Sequence, residues 1–139
     1  HPFTIGPGLP PAARALVRAS DAALLQRIAG DVPVLDVVHL GLGADGHAAS
    51  WPPGDPADAA WADPDQLVAA VEDFNGHDRV TLTMAVVNAA RSIVWFVPGQ
   101  QKRAMLARLL EGDETIPAGR VARAHAVVFA EHAAPRSNP

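Results

Sequence analysis

The chain has 139 residues, of which 49% are hydrophobic and 19% are charged, and its formal net charge is −4. This length suits one domain, and this composition is typical of a chain that buries a core. The 11 Lys and Arg residues and 15 Asp and Glu residues form no long run of one sign, which argues against nucleic-acid binding. The absence of cysteine excludes disulfides, thiolate metal sites and cysteine nucleophiles, and it favours a cytoplasmic protein.

We do not expect the N-terminal segment to be a signal peptide, because it lacks a basic start followed by an apolar stretch. No apolar run approaches the ~20 residues of a membrane span, so we expect a soluble protein without membrane contact. The chain opens with His1 and Pro2 instead of Met. We therefore expect it to start in the middle of a longer protein.

The first half of the chain predicts a helix, a strand and a loop. Apolar residues recur at helical spacing over residues 10–30, where Gly30 provides a stop signal. Residues 34–40 are short, β-branched and nearly all apolar, which is typical of a strand buried on both faces of a parallel sheet. His39 lies within it and is expected to be a hydrogen-bonded core residue. The proline-rich residues 52–64 predict an exposed loop.

The second half alternates strands with helices. The expected strands cover residues 67–74, 79–83, 92–97 and 124–130, and the expected helices cover residues 84–91 and 100–110. Asn75-Gly76 predicts a turn between the first two of these strands, and Gly112 ends the last helix. This alternation favours an α/β fold over residues 1–139, with a mainly parallel sheet flanked by helices.

The loop after the predicted strand 34–40 is the most informative part of the sequence. In open α/β sheets, ligands bind at the carboxyl ends of strands, and this loop lies at such an end. Its glycines allow the backbone to turn sharply and to approach a ligand: Gly41, Gly43 and Gly46. Asp45 and His47 flank the last of them and are expected to face one cleft. A histidine in this position suits general-base catalysis, because its ordinary pKa is about 6.5.

Two other interpretations of this loop remain open. In the first, the loop is a plain turn at the end of the strand, Asp45 caps a following helix and His47 is a surface residue. Its glycines also fit the G-x-G-x-x-G pattern of dinucleotide-binding folds. However, Pro52 and Pro53 leave little room for the helix that binds the pyrophosphate.

Two cations are candidate anion ligands. Arg79 precedes a predicted strand, and Lys102 lies in the first turn of the predicted helix 100–110. A cation at a helix N-terminus is unfavourable to the helix dipole, so Lys102 together with free backbone N–H groups suggests a bound anion. The alternative is a solvated lysine. No pair of histidines has helical metal-ligand spacing, so we predict no metal site.

Residues 36–50, DVVHLGLGADGHAAS, resemble the signature of the 6-phosphogluconolactonase family. The related glucosamine-6-phosphate deaminases share the Gly-x-Gly-x-Asp-Gly-His core, but the following residues 48–50 and 53–54 are more similar to the lactonases. Residues 79–83, RVTLT, and 97–102, VPGQQK, are similar to two later family segments. The resemblance extends from about Ala12 to Ala134.

The resemblance implies the NagB/lactonase type of Rossmann-like fold and hydrolysis of 6-phospho-D-glucono-1,5-lactone to 6-phosphogluconate in the pentose phosphate pathway. No cofactor is implied. His47 is then the base that activates water, and Asp45 orients it. The resemblance implies that the other site residues shape the loop or hold the phosphate: Gly41, Gly43, Gly46, Arg79 and Lys102.

The sequence also departs from the family pattern. Family members are longer and begin with a strand, a Gly-Gly-Ser/Thr phosphate loop and an Asp-Glu-Arg segment, none of which occurs here. We therefore expect a chain without the first strands of the fold, whose exposed sheet edge self-associates or pairs with the missing N-terminal part. The alternatives are a non-catalytic, truncated sugar-phosphate-binding module and a glucosamine-6-phosphate deaminase/isomerase.

Overall fold

A computed structural model of the chain describes residues 4–5, 11–30, 33–57 and 59–131. The strands and α-helices are β1 (Thr4–Ile5), α1 (Pro11–Ala29), β2 (Val38–Gly41), β3 (Val68–Phe74), β4 (His77–Leu82), α2 (Met84–Asn88), β5 (Ile93–Val97), α3 (Arg103–Glu111) and β6 (Ala126–Ala130). Short 3-10 helices cover Ala60–Ala62, Gln100–Lys102 and Pro117–Arg120. None of the helices within these ranges is both long and apolar enough to cross a membrane.

The first of the two sheets is parallel and has the strand order β2-β5-β6. Ile93 of β5 aligns with Val38 on one side and with Ala126 on the other. The chain passes from β5 to β6 through α3, as the crossover between parallel strands requires. The predicted α/β fold with a parallel sheet is therefore confirmed.

The second sheet is antiparallel, has the order β1-β4-β3 and was not predicted as a separate unit. Its hairpin turns at Asn75 and Gly76, both of which have positive φ, 55° and 77°. Positive φ at both central residues matches the right-handed twist of the strands, so the predicted Asn-Gly turn is confirmed. A register shift in β3 precedes Phe74, which pairs with His77.

Three tryptophans anchor the core between the sheets. Trp95 of β5 is 1% exposed. Trp51 is fully buried, donates its indole N–H to the Leu82 carbonyl at 2.9 Å and stacks on Trp61 at 5.7 Å between ring centroids. Trp61 belongs to the proline-rich segment 52–64 and is itself buried, so it attaches that segment to the core.

The predictions for residues 34–40 need two corrections. The strand begins only at Val38, and it buries one face instead of two. His39 is exposed and touches the Phe96 ring edge-on at 5.4 Å, so its assignment to the core was wrong. The reason is that α1, the longest described helix, packs on β3 and leaves this face of the parallel sheet uncovered.

The segment before α3 also differs in detail from the prediction. The helix expected over residues 100–110 starts as the 3-10 helix Gln100–Lys102 and becomes α-helical at Arg103. Such 3-10 turns are common at helix ends. Gly112, with φ 71°, adopts the left-handed conformation and ends the helix as predicted.

Candidate active site

The loop after β2 folds back on itself. Leu42 forms an isolated β-bridge with Ala48, and the Gly43 N–H donates to the His47 carbonyl at 2.8 Å. The described residues from this loop to residue 57 contain no helix. The two interpretations that needed a following helix, a dinucleotide fold and a helix cap at Asp45, are therefore wrong.

Asp45 and His47 form a hydrogen-bonded pair within this loop. Asp45 Oδ1 lies 2.6 Å from His47 Nδ1 and also accepts the His47 backbone N–H at 3.2 Å. Partial burial raises the pKa of Asp45, but the two hydrogen bonds and the charge of His47 outweigh it and hold that pKa below its ordinary value. Asp45 is therefore a carboxylate at neutral pH, and it fixes the His47 ring through Nδ1.

Two glycines make this geometry possible. A Cβ on Gly43 would overlap the His47 ring and lie 2.6 Å from Asp45 Oδ1. Gly46 has φ 89°, and a Cβ there would lie 2.8 Å from the side chain of Ile116. The Gly46 carbonyl also accepts the Ala118 N–H at 3.1 Å, which fastens the loop to the segment after α3. Any side chain at position 43 would therefore displace the pair.

The ring of Phe74 supports His47 from the antiparallel sheet. The two rings meet edge-to-face with centroids 5.1 Å apart, and the Arg79 guanidinium carbon lies 6.0 Å from the Phe74 centroid. Arg79 thus stands next to the ring that supports His47. Phe74 was not among the predicted site residues. The sequence signal for its role was its position directly before the Asn75-Gly76 turn, because a residue at the end of a strand faces the loops of a neighbouring sheet.

A cavity of about 920 Å³ opens beside the loop. It brings together four of the predicted site residues, which line it in common: Gly41, Gly43, His47 and Lys102. Asp45 reaches this group through its bond to His47, whereas Gly46 is buried against Ile116 and Arg79 contacts the Phe74 ring without lining the cavity. The cavity therefore brings a histidine, a lysine and glycine backbone together.

Two backbone N–H groups near Lys102 are not free, although free N–H groups were expected there. The Gly99 N–H donates to a Glu131 carboxylate oxygen at 3.0 Å, and the Lys102 N–H donates to the Gly99 carbonyl at 3.2 Å. These two donors are therefore unavailable to a ligand.

The described residues contain no group of three or more His, Asp and Glu side chains arranged to hold a metal ion.

Comparison with known proteins relates the chain to sugar-phosphate enzymes. Residues 6–130 match the family model "Glucosamine-6-phosphate isomerases/6-phosphogluconolactonase". The chain is 40% identical over 129 residues to a 6-phosphogluconolactonase of Rattus norvegicus, covering 86% of this chain and 46% of the rat protein. It is 38% identical over 118 residues to the Bos taurus 6-phosphogluconolactonase, covering 83% of this chain and 44% of that protein.

A solved structure shares the fold. The 6-phosphogluconolactonase from Trypanosoma brucei superposes with a TM-score of 0.69 at 27% sequence identity, over 88% of this chain and 52% of that one. The chain thus spans about half the length of the relatives that it matches. The family match covers most of the chain and agrees with the resemblance found in the loop sequence. The chain belongs to the family of glucosamine-6-phosphate isomerases and 6-phosphogluconolactonases.

Proposed function

We propose that this chain carries the catalytic histidine of a 6-phosphogluconolactonase, which hydrolyses 6-phospho-D-glucono-1,5-lactone to 6-phosphogluconate in the pentose phosphate pathway. The observation that carries the proposal is the 2.6 Å Asp45–His47 bond at the wall of a cavity that Lys102 also lines. The lactonase names of the rat and bovine relatives support the choice of substrate.

In the proposed reaction, His47 acts as a general base. Its Nδ1–H donates to the Asp45 carboxylate, so Nε2 is the nitrogen that takes a proton from water. The water oxygen forms a bond to the lactone carbonyl carbon and gives a tetrahedral oxyanion. When that intermediate collapses, the bond between this carbon and the ring oxygen breaks. The imidazolium returns its proton to the leaving oxygen, and the new carboxylic acid loses its proton to solvent.

Asp45 serves this cycle by stabilising the imidazolium that forms when His47 takes the proton. Its low pKa means that it remains an acceptor while His47 changes charge. A carboxylate in this role also fixes the tautomer and the ring orientation. Asp45 is thus a positioning residue in the proposal, and His47 is the residue that contacts the reacting water.

The phosphate of the substrate is assigned to Lys102. Lys102 lines the cavity from the 3-10 turn that precedes α3. Arg79, whose guanidinium carbon lies 6.0 Å from the centroid of Phe74, adds positive charge near the ring that contacts His47. Both cations favour an anionic substrate.

A non-catalytic sugar-phosphate-binding module is the second candidate, and one observation favours it. The chain spans about half the length of its relatives, so groups that those proteins use can be missing here. We infer that the full rate requires the polypeptide that the relatives have beyond the matched portion. The deaminase alternative has less support, because both curated relatives are named lactonases.

Acid release from freshly prepared lactone, followed at mildly acidic pH where spontaneous hydrolysis is slow, tests the proposal. We expect a rate above background with 6-phospho-D-glucono-1,5-lactone and a much lower rate with the unphosphorylated lactone. Binding of the phosphorylated lactone without turnover would support the module instead. Release of ammonia from glucosamine-6-phosphate would contradict the lactonase proposal in favour of the deaminase.

A further inference from the structure

Strand β3 contains one extra residue shortly before its turn. Val71 aligns with Arg79 of β4. Phe74 aligns with His77, which leaves two residues of β3 opposite a single residue of β4. An insertion of this kind is a β-bulge. It includes Asp73, whose φ of 47° lies in the left-handed region that residues other than glycine adopt uncommonly.

The bulge changes the face on which the next residue of β3 lies. Successive residues of a strand point to opposite faces, so Ala69 and Val71 share a face, and an uninterrupted strand would place residue 73 next on it. The extra residue gives that place to Phe74 instead. Phe74 accordingly belongs to the same buried cluster as Ala69 and Val71. Asp73 is exposed. A regular strand would turn Phe74 away from this core.

The face that Phe74 joins is the one that reaches His47. The Phe74 side chain is 9% exposed, and its ring meets the His47 ring at an interplanar angle of 83°. Bulges beside active sites characteristically redirect a side chain in this way. The contact between the two rings therefore depends on the extra residue in β3.

One carboxylate holds the bulge. Asp73 has no aligned partner among the described residues of β4, but its backbone N–H donates to Asp78 Oδ1 at 3.2 Å. Asp78 is the residue of β4 that lies opposite the bulge. Its side chain thus takes the place of the backbone carbonyl that would accept this N–H in a regular ladder. The bond fixes the inserted residue and, with it, the residue that follows.

We propose that Asp78 is a positioning residue for the general base, because it holds the bulge that directs Phe74 against the His47 ring. The inference rests on the proposed function in that His47 is the base. A single hydrogen bond, from Nδ1 to Asp45, leaves the ring able to tilt about that bond. The Phe74 contact from the other sheet supplies the second constraint, which sets the direction of Nε2. Misplacement of a catalytic group by about 1 Å costs about 10²-fold in rate, so this direction matters.

NMR of the chain measures the placement of the His47 ring without turnover. The ring current of Phe74 displaces the chemical shifts of the His47 ring protons, and Phe74→Leu gives the reference without that displacement. His47→Gln identifies these signals among those of the six histidines. We expect Asp78→Ala to lose most of the displacement, because it removes the acceptor of the Asp73 N–H. Asp78→Asn should keep most of it, because the amide oxygen still accepts this N–H.

Two variants are matched controls. Asp55→Ala removes a bond of the same kind, in which Asp55 Oδ1 accepts the Ala57 N–H at 3.0 Å within the proline-rich segment. Val71→Ala weakens β3 at a side chain that is as buried as Phe74. Both should leave the His47 signals close to those of the unaltered chain.

A second pair of variants tests the bulge without changing Asp78. Glycine adopts a positive φ at no steric cost, so Asp73→Gly should keep the His47 signals. A β-branched residue strongly disfavours this conformation, so Asp73→Val should move the signals towards those of Phe74→Leu. This pair decides the question if Asp78→Ala does not fold.

Turnover of 6-phospho-D-glucono-1,5-lactone adds a kinetic measurement. We expect Asp78→Ala to lower kcat about tenfold with little change in KM, and Asp78→Asn to restore most of it. His47 signals that stay unchanged in both Asp78→Ala and Asp73→Val would overturn the inference, as would equal displacements in Asp78→Ala and Asp55→Ala. A chain without lactonase activity would contradict the proposed function instead, because the NMR comparison tests the placement of His47 separately.

Discussion

Replacing Gly43 by alanine is the substitution that most directly perturbs the hydrogen-bonded pair of Asp45 and His47 without changing either residue. The new Cβ would overlap the His47 ring and lie 2.6 Å from Asp45 Oδ1. Ordinary carbon contacts lie at about 3.5 to 4.0 Å, so the ring and the carboxylate must each move by about 1 Å. The 2.6 Å bond between them does not survive such a displacement.

The expected loss is large for activity and small for stability. A misplacement of about 1 Å at a catalytic group costs about 10²-fold in rate. The pair is partly exposed, so loss of its hydrogen bond costs about 1 kcal/mol, and the smaller conformational freedom of alanine in the unfolded chain offsets about 0.5 kcal/mol of that. Lactone hydrolysis measures the first quantity and urea unfolding the second.

A titration adds a measurement that does not depend on turnover. Without the hydrogen bonds from His47, the pKa of Asp45 should rise towards 3.8, its ordinary value, and carboxyl chemical shifts followed against pH detect this. The matched variant Gly41→Ala adds the same methyl group where nothing lies within 4 Å, so its loss of activity should be at least about tenfold smaller. Equal activity of the two variants, with an unchanged pKa of Asp45, would show that a methyl group at position 43 does not displace the pair of Asp45 and His47.

Three further predictions follow from other parts of the structure. Lys102→Met should raise the KM for the phosphorylated lactone without affecting the unphosphorylated one, and steady-state kinetics with both substrates measure this. Trp61→Ala should destabilise the chain by about 3 to 5 kcal/mol in urea unfolding, because the indole is 3% exposed and stacks on Trp51. Hydrogen bonds from Thr115 and Arg108 lower the pKa of Asp113 from 3.8 to about 2, so stability should fall as pH decreases through this interval. Asp113→Asn should flatten that dependence in thermal unfolding followed between these pH values.

The sequence predicted the elements of this fold well where local signals were strong. The Asn75-Gly76 turn, the apolar strand around Trp95 and the helix stop at Gly112 each depend on a few neighbouring residues, and all are confirmed. His39 shows the limit of such signals. Its apolar neighbours predict a buried strand, but burial of the second face depends on which helix packs there, and α1 packs on β3 instead.

The candidate site was predictable only as far as it is local. Asp45 and His47 are two residues apart in one loop, so their pairing follows from the sequence around Gly46. The support of His47 by Phe74 joins two sheets across 27 positions of the chain, and no local pattern specifies it. Glycine is likewise required at position 43 because of where the His47 ring lies in the fold, and the sequence alone does not give that position.

The proposed reaction depends most on His47, and one comparison tests its role as the general base directly. Hydrolysis of 6-phospho-D-glucono-1,5-lactone is measured for the chain and for His47→Ala, with His39→Ala as the matched control because His39 lines the same cavity. General-base catalysis contributes about 10² to 10⁴-fold, so His47→Ala should lose at least that factor or fall to background, while His39→Ala keeps most of the rate. A catalysed rate that survives His47→Ala, or that falls equally in His39→Ala, would contradict the assignment.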